Sequence, residues 1–202
     1  MVRGVHSANQ LMALLEKVSV IVIGPGLGDM AWGKSLLSVA ANARQPQVWD
    51  ADALSLLAAG HVALPGGCVI TPHPGEAARL MGISTAEVQA DRLKVARALS
   101  QKFNAVTVLK GAGSLIASPD GRVARCDQGH PAMASAGLGD VLAGLTGALL
   151  AQGMPAFEAA SLAVWLHATA GDRQGTLGRG LVASDLIPAI RQLLEEQSPC
   201  LK

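Results

Sequence analysis

Four short apolar runs, each followed by a glycine- or proline-bearing turn or by a stretch of helical spacing, constrain this chain more than any other feature. They are residues 18–23, 47–49, 68–71 and 105–109. Rich in Val and Ile and too short for helices, they predict buried strands. Helical spacing is predicted over residues 30–42 and beyond Glu76, and Ser84 with Glu87 makes a capping-box pattern ahead of a helix through about Ser100. A similar pair, Ser7 and Gln10, opens a first helix that runs through Lys17. Buried strands alternating with helices predict a mainly parallel sheet covered on both faces. Residues 114–117 and 123–125 flank Pro119-Asp120-Gly121, which predicts a hairpin. Beyond Asp140 the spacing predicts two long helices of small residues, about 141–152 and 156–170, and a last helix from about Ser184.

Length and charge narrow the function classes. A chain of 202 residues fits one domain, predicted to span 1–202. Sixteen basic and fifteen acidic residues leave a net charge of +1, which gives no electrostatic footprint for nucleic acid or an anionic membrane. With no Tyr, two Phe and three Trp, stacking platforms for single-stranded nucleic acid are not expected. Cys68, Cys126 and Cys200 are odd in number and widely spaced, which suits a reducing compartment better than a disulfide framework. No uncharged apolar run reaches the roughly 18 residues of a membrane span, and no signal-peptide pattern opens the chain. The expectation is a cytoplasmic protein without nucleic-acid or membrane partners.

Chemistry is expected in the loops that follow the strands, because ligands of open α/β sheets sit beyond the strand carboxyl ends. In Ser135-Ala136-Gly137-Leu138-Gly139-Asp140, two glycines let the backbone amides of residues 137, 138 and 139 converge on an anion, and the following helix adds its positive end. Asp140 could take a proton from a substrate hydroxyl that attacks a phosphoryl group, or could simply cap the helix. Lys110-Gly111-Ala112-Gly113-Ser114 begins where a strand ends and could hold phosphate or ribose, although it lacks P-loop spacing. The turn Gly24-Pro25-Gly26-Leu27-Gly28 permits close backbone approach but misses the dinucleotide fingerprint. In Thr71-Pro72-His73-Pro74-Gly75-Glu76, His73 could donate to a substrate amide or hydroxyl, and Glu76 could hold a water on Mg²⁺ or complement a helix dipole. Asp50 and Asp52 rank lower, Asp52 being an ordinary helix-cap candidate, and His167 is expected as a packed core or rim residue. His6 and His130 carry no assignment.

Taken together, residues 22–28, Asp50-Ala51-Asp52-Ala53-Leu54, residues 71–80, Lys110 to Ser114 and residues 133–144 resemble, in order and spacing, the ADP/ATP-dependent NAD(P)H-hydrate dehydratases of the ribokinase-like superfamily. The most specific element is Thr-Pro-His-Pro-Gly-Glu-Ala combined with the later Gly-x-Gly-Asp, since many sugar and vitamin kinases share only the second. The resemblance implies that Gly26, His73 and Asp140 contact the hydrated nicotinamide cofactor. It further implies that Lys110, Gly111, Ala112, Gly113, Ser114 and Gly139 contact the adenine nucleotide. The implied reaction returns (S)-NAD(P)H hydrate to NAD(P)H while ADP or ATP, with Mg²⁺, loses its terminal phosphoryl group; Asp140 is the implied catalytic residue.

Ser114 stands where this family usually has Thr, and Ala136 where many relatives have Gly; both changes are mild. The chain begins one helix before the glycine turn, whereas family members carry a preceding segment with further strands, and many bacterial relatives add an epimerase domain. The expectation is therefore a ribokinase-like α/β domain missing N-terminal elements, a homo-oligomer, with weak or absent activity unless a partner chain or upstream sequence completes it. A small-molecule kinase of the same superfamily and a non-catalytic nucleotide-binding fragment are the alternatives.

Overall fold

All four apolar runs form strands in the computed structural model, which describes residues 2–198; Cys200 lies outside them. The strands are β1 (Ile21–Ile23), β2 (Gln47–Trp49), β3 (Val69–Ile70) and β4 (Val106–Leu109), followed by β5 (Ser114–Ala117) and β6 (Val123–Cys126). Among the described residues they make one sheet in the order β1-β2-β3-β4-β5-β6. The first four pair in parallel, while β4-β5 and β5-β6 are antiparallel. The expected hairpin is β5-β6, turned at Gly121, whose N–H donates to the Ser118 carbonyl.

Three of the four strands are shorter than their apolar runs, and β2 alone fills its run, because a ladder extends only as far as both partners do. Residues 18–20 fall outside β1: its register pairs Ile21, Val22 and Ile23 with Gln47, Val48 and Trp49 and ends there. Val18 instead closes the turn after α1 (Ala8–Leu15), its N–H donating to the Leu15 carbonyl.

Consecutive strand residues face opposite cores, as strand geometry requires. Trp49, Ile70, Leu109, Leu115 and Ala117 pack beneath α2 (Ala31–Ala41), α3 (Ala51–Ala58), α4 (Pro74–Met81), α5 (Thr85–Ala90) and α6 (Arg92–Phe103). Val48, Val69, Val106, Val108 and Ile116 pack against α7 (Leu138–Ala151) and α8 (Ala156–Gly175). A third cluster, including Leu166, Leu186 and Leu193, seats α9 (Ala183–Gln197) on α7 and α8. Both sheet faces are thus covered, and the near-continuous apolar strands follow from that double burial.

Three boundaries differ from expectation. The helix foreseen over 84–100 is two helices, broken at Asp91, whose non-helical backbone lets its Oδ1 accept from the Lys94 N–H at 3.0 Å and start α6. Helix α7 begins at Leu138 rather than Val141, since Gly137, at φ +81°, makes the entry turn. Helix α8 runs to Gly175 because Gly171 and Gly175 let Met133 and His130 pack directly on its backbone.

Candidate functional site

The loops that leave β1, β2, β3 and β4 emerge at the carboxyl ends of the parallel strands. Backbone bonds stitch them side by side: Asp50 N–H to the Ile23 carbonyl (3.1 Å), Thr71 N–H to the Trp49 carbonyl (3.1 Å) and Lys110 N–H to the Pro72 carbonyl (2.9 Å). In the first loop, Gly24 at φ +132° passes so close to β2 that a Cβ there would overlap the Asp50 carbonyl. Gly28 donates its N–H to Asp52 Oδ2 at 2.8 Å, and the space beside Gly26 is open. Asp52 therefore ties the glycine turn to α3 instead of capping that helix; Asp50 holds the cap position, without a side-chain cap bond.

Asp50 faces inward. It is 1% exposed, and its Oδ1 accepts from Lys110 Nζ at 2.6 Å. Glu76 Oε2 lies 3.9 Å from the same ammonium, so one lysine serves two buried carboxylates. Glu76 Oε2 also accepts the His73 N–H at 2.7 Å, while His73 Nδ1 accepts the Gly75 N–H at 3.0 Å, completing a capping box on α4. With Nδ1 an acceptor, the His73 ring proton sits on Nε2 of a half-exposed side chain, 3.6 Å from Glu76 Oε1 and beyond hydrogen-bond range. Burial pushes the Glu76 carboxyl above the usual carboxylate range; Lys110, the His73 N–H and the His73 ring oppose the rise, and Asp50 adds to it.

The turn into α7 meets this cluster. A Cβ on Gly139 would come 3.3 Å from Lys110 Nζ and 3.6 Å from Asp50 Oδ2, so glycine there keeps the helix start close to the ion pair. No side chain caps α7. Its first amides, those of Leu138, Gly139 and Asp140, lack intrahelical acceptors by helix geometry, and Val141 is the first to donate back, to the Gly137 carbonyl. Asp140 lies in the first turn, with its side chain exposed. His167 on α8 holds this turn from behind, Nε2 to the Leu138 carbonyl at 2.8 Å, which fits the expected rim position. His130 caps the short 3₁₀ turn Pro131–Met133, far from any of these bonds in role.

In the loop after β4, the Ser114 hydroxyl donates to the Gly111 carbonyl and accepts the Gly111 N–H, closing a small ring around Ala112 and Gly113. Arg92 Nη2 donates to the Leu109 and Lys110 carbonyls and fixes the loop from the side. Sequence reasoning did not single out Arg92. A signal existed: a cation at the first position of a helix opposes the helix dipole. No local pattern in the sequence links Asp50 to Lys110, sixty residues on.

A profile of NAD(P)H-hydrate dehydratases matches residues 1–199. The chain belongs to this family. It is 45% identical over 193 residues to the bifunctional NAD(P)H-hydrate repair enzyme of Escherichia coli, covering 94% of this chain and 37% of that protein. The chain thus spans less than two fifths of that relative's length. Among solved structures, a ribokinase-like superfamily protein from Enterococcus faecalis superposes with a TM-score of 0.86 at 28% identity, over 95% of this chain and 68% of the other. The ADP/ATP-dependent NAD(P)H-hydrate dehydratase of Bacillus subtilis, co-crystallized with ATP and Mg²⁺, gives 0.77 at 29% identity, over 88% and 64%. The dehydratase-family fold here is ribokinase-like, as the motifs implied. No helix among the described residues is long and apolar enough to cross a membrane. A groove of about 530 Å³ between α1 and α2, lined by Met12, Leu15 and Val39 among others, contains none of the clustered residues.

Proposed function

We propose that this chain dehydrates (S)-NAD(P)H hydrate to NAD(P)H, consuming the terminal phosphoryl group of ADP or ATP. The observation that carries the reading is the meeting of the uncapped α7 start with Lys110 and Asp50 at Gly139. Uncapped helix amides with an ammonium beside them suit a phosphoryl group, and an acidic residue in the same helix turn suits the alcohol that attacks it. In this reading Asp140 accepts or orients the substrate hydroxyl proton while the amides of Gly137, Leu138 and Gly139 stabilise charge on the transferring group. The alcohol oxygen bonds to phosphorus as the bond from phosphorus to the nucleotide's leaving oxygen breaks. Phosphate then leaves carbon more readily than hydroxide would, pushed by the ring nitrogen, and loss of a proton from the neighbouring ring carbon to solvent forms the double bond of NAD(P)H. In this reading the half-exposed His73 donates Nε2–H to the nicotinamide portion, and the open space beside Gly26 admits the same substrate. The loop Lys110, Gly111, Ala112, Gly113 and Ser114, with Gly139, lies along the adenine nucleotide.

The oxygen donors present fit Mg²⁺, which takes one or two carboxylates and completes its shell with phosphate oxygens and water. Among the described residues no group of three or more His, Cys, Asp or Glu encloses a metal by itself. Glu76, beside the Asp50–Lys110 pair, is the residue that would hold it, through water. When bound, the ion supplies charge neutralisation for the nucleotide phosphates.

The test mixes the chain with NADH hydrate, Mg²⁺ and ADP or ATP and follows the return of reduced-nicotinamide absorbance. Recovery, at whatever rate this chain supports, identifies the dehydratase, and Asp140→Asn should slow it by roughly 10²–10⁴-fold while nucleotide binding persists. Near-normal turnover by that variant would remove Asp140 from its role. Phosphorylation of another small alcohol without recovery would replace the reading with a kinase.

A further inference from the structure

Two guanidinium groups lie on the glycine loop where side chains would otherwise be. A Cβ on Gly111 would sit 3.0–3.3 Å from Nη1, Nη2 and Cζ of Arg92, and one on Gly113 would sit 3.2 Å from Nε of Arg125. Both glycines have positive φ, +141° and +67°, so the loop is shaped to receive these two groups rather than side chains of its own. Arg92 donates only to neutral acceptors, the Leu109 and Lys110 carbonyls and Gln89 Oε1. Among the described residues it makes no ion pair with a carboxylate, and its place at the first position of α6 runs against the helix dipole. Arg125 is paired with Asp127 at 2.6 Å, but both side chains are about two-thirds exposed. Such a surface pair contributes little and yields readily to a better anion.

The charges therefore do not cancel at this end of the loop. Lys110 faces Asp50 and Glu76 and Arg125 is paired with Asp127, whereas Arg92 has no carboxylate partner among the described residues. Burial, and secondarily the nearby charge of Arg125, push the Arg92 pKa below its ordinary range. Two forked donors converging on backbone that already presents Gly111 and Gly113 make a receptor for a phosphate, which guanidinium groups bind in bidentate fashion.

We propose that Arg125 and Arg92 together receive a phosphate of the adenine nucleotide at the outer side of the Lys110–Ser114 loop, Arg92 anchoring the loop and Arg125 swinging from Asp127 onto the anion. This rests on the nucleotide reading above and adds to it two residues outside the expected set. The phosphate bound here is a resident one, distinct from the terminal group cradled at Gly137 to Gly139.

Calorimetric titration of the chain with ADP and with adenosine tests it, free of any need for turnover. Arg125→Ala, at an exposed position, is expected to weaken ADP binding about tenfold, the size of one charge-assisted contact, and to leave adenosine binding unchanged. The salt dependence of ADP binding should flatten in the same variant, and Arg125→Lys should recover part of the loss. Equal ADP affinity in wild type and Arg125→Ala overturns the proposal, as does an equal loss for adenosine. Failure of the unsubstituted chain to bind ADP overturns the nucleotide reading itself and this one with it, whereas ADP binding without dehydration leaves the clamp standing and rejects only the reaction.

Discussion

His167 joins α8 to the start of α7 through a single bond, Nε2 to the Leu138 carbonyl. A carbonyl only accepts, so Nε2 carries the proton and the neutral ring suffices for the contact. Burial pushes its pKa below the ordinary value of about 6.5, reinforced by Lys110 and opposed by the Leu138 bond. As pH falls below about 6.5, the unfolded chain takes up a proton here before the folded one does, so stability is lost on acidification until the folded pKa is reached. Above that window the residue has no pH effect. His167→Gln should keep a donor to Leu138 and flatten the acid side of the stability profile by at most about 1.4 kcal/mol per pH unit. Urea midpoints between pH 7.5 and 5 for the two proteins give the answer, and parallel curves would count against it. Cys68 makes a contrasting case: burial pushes its thiol up to about 12, so it is a packing group rather than a nucleophile.

Helices and strands are held in register by glycines at the points where two backbones nearly touch. Gly24 is the clearest, because its positive φ and its closeness to the Asp50 carbonyl both exclude a side chain. Gly24→Ala should cost roughly 2–4 kcal/mol from strain and overlap combined, read as a lower urea midpoint, and should disturb the Asp50–Lys110 pair. The sequence made such elements legible through local pattern: all four runs form strands, and the Asp-Gly hairpin expected from residues 114–117 and 123–125 is β5-β6, one residue longer at Cys126. Boundaries were less legible, since β1 stops with its three-residue partner and Asp91 breaks a helix that apolar spacing alone continues. In the candidate site, glycine turns announced where backbone approaches closely. Partnerships across sixty residues, Lys110 with Asp50, or across seventeen and eighteen, Arg92 with the Leu109 and Lys110 carbonyls, exist only once the sheet is assembled.

The parallel half of the sheet delivers four loops to one edge of the molecule, and α7 brings its amino end to the same place from the opposite layer. Its position is set elsewhere. Gly147, fully buried in the middle of α7, lies against Val22 of β1 with no room for a Cβ, so the helix touches the outermost strand directly. Eight residues separate Gly147 from Gly139, roughly 12 Å of helix at 1.5 Å per residue. The helix works as a spacer bar, bearing on the border strand at Gly147 and presenting amides and Asp140 at its amino end. Inserting bulk under that bearing point, as in Gly147→Leu, would tilt or slide the bar and carry the amides off the ammonium of Lys110 at its far end. Such a protein should be about 1–3 kcal/mol less stable and should lose affinity for ADP without any change to a residue near the nucleotide, measurable by denaturation and titration on the same sample.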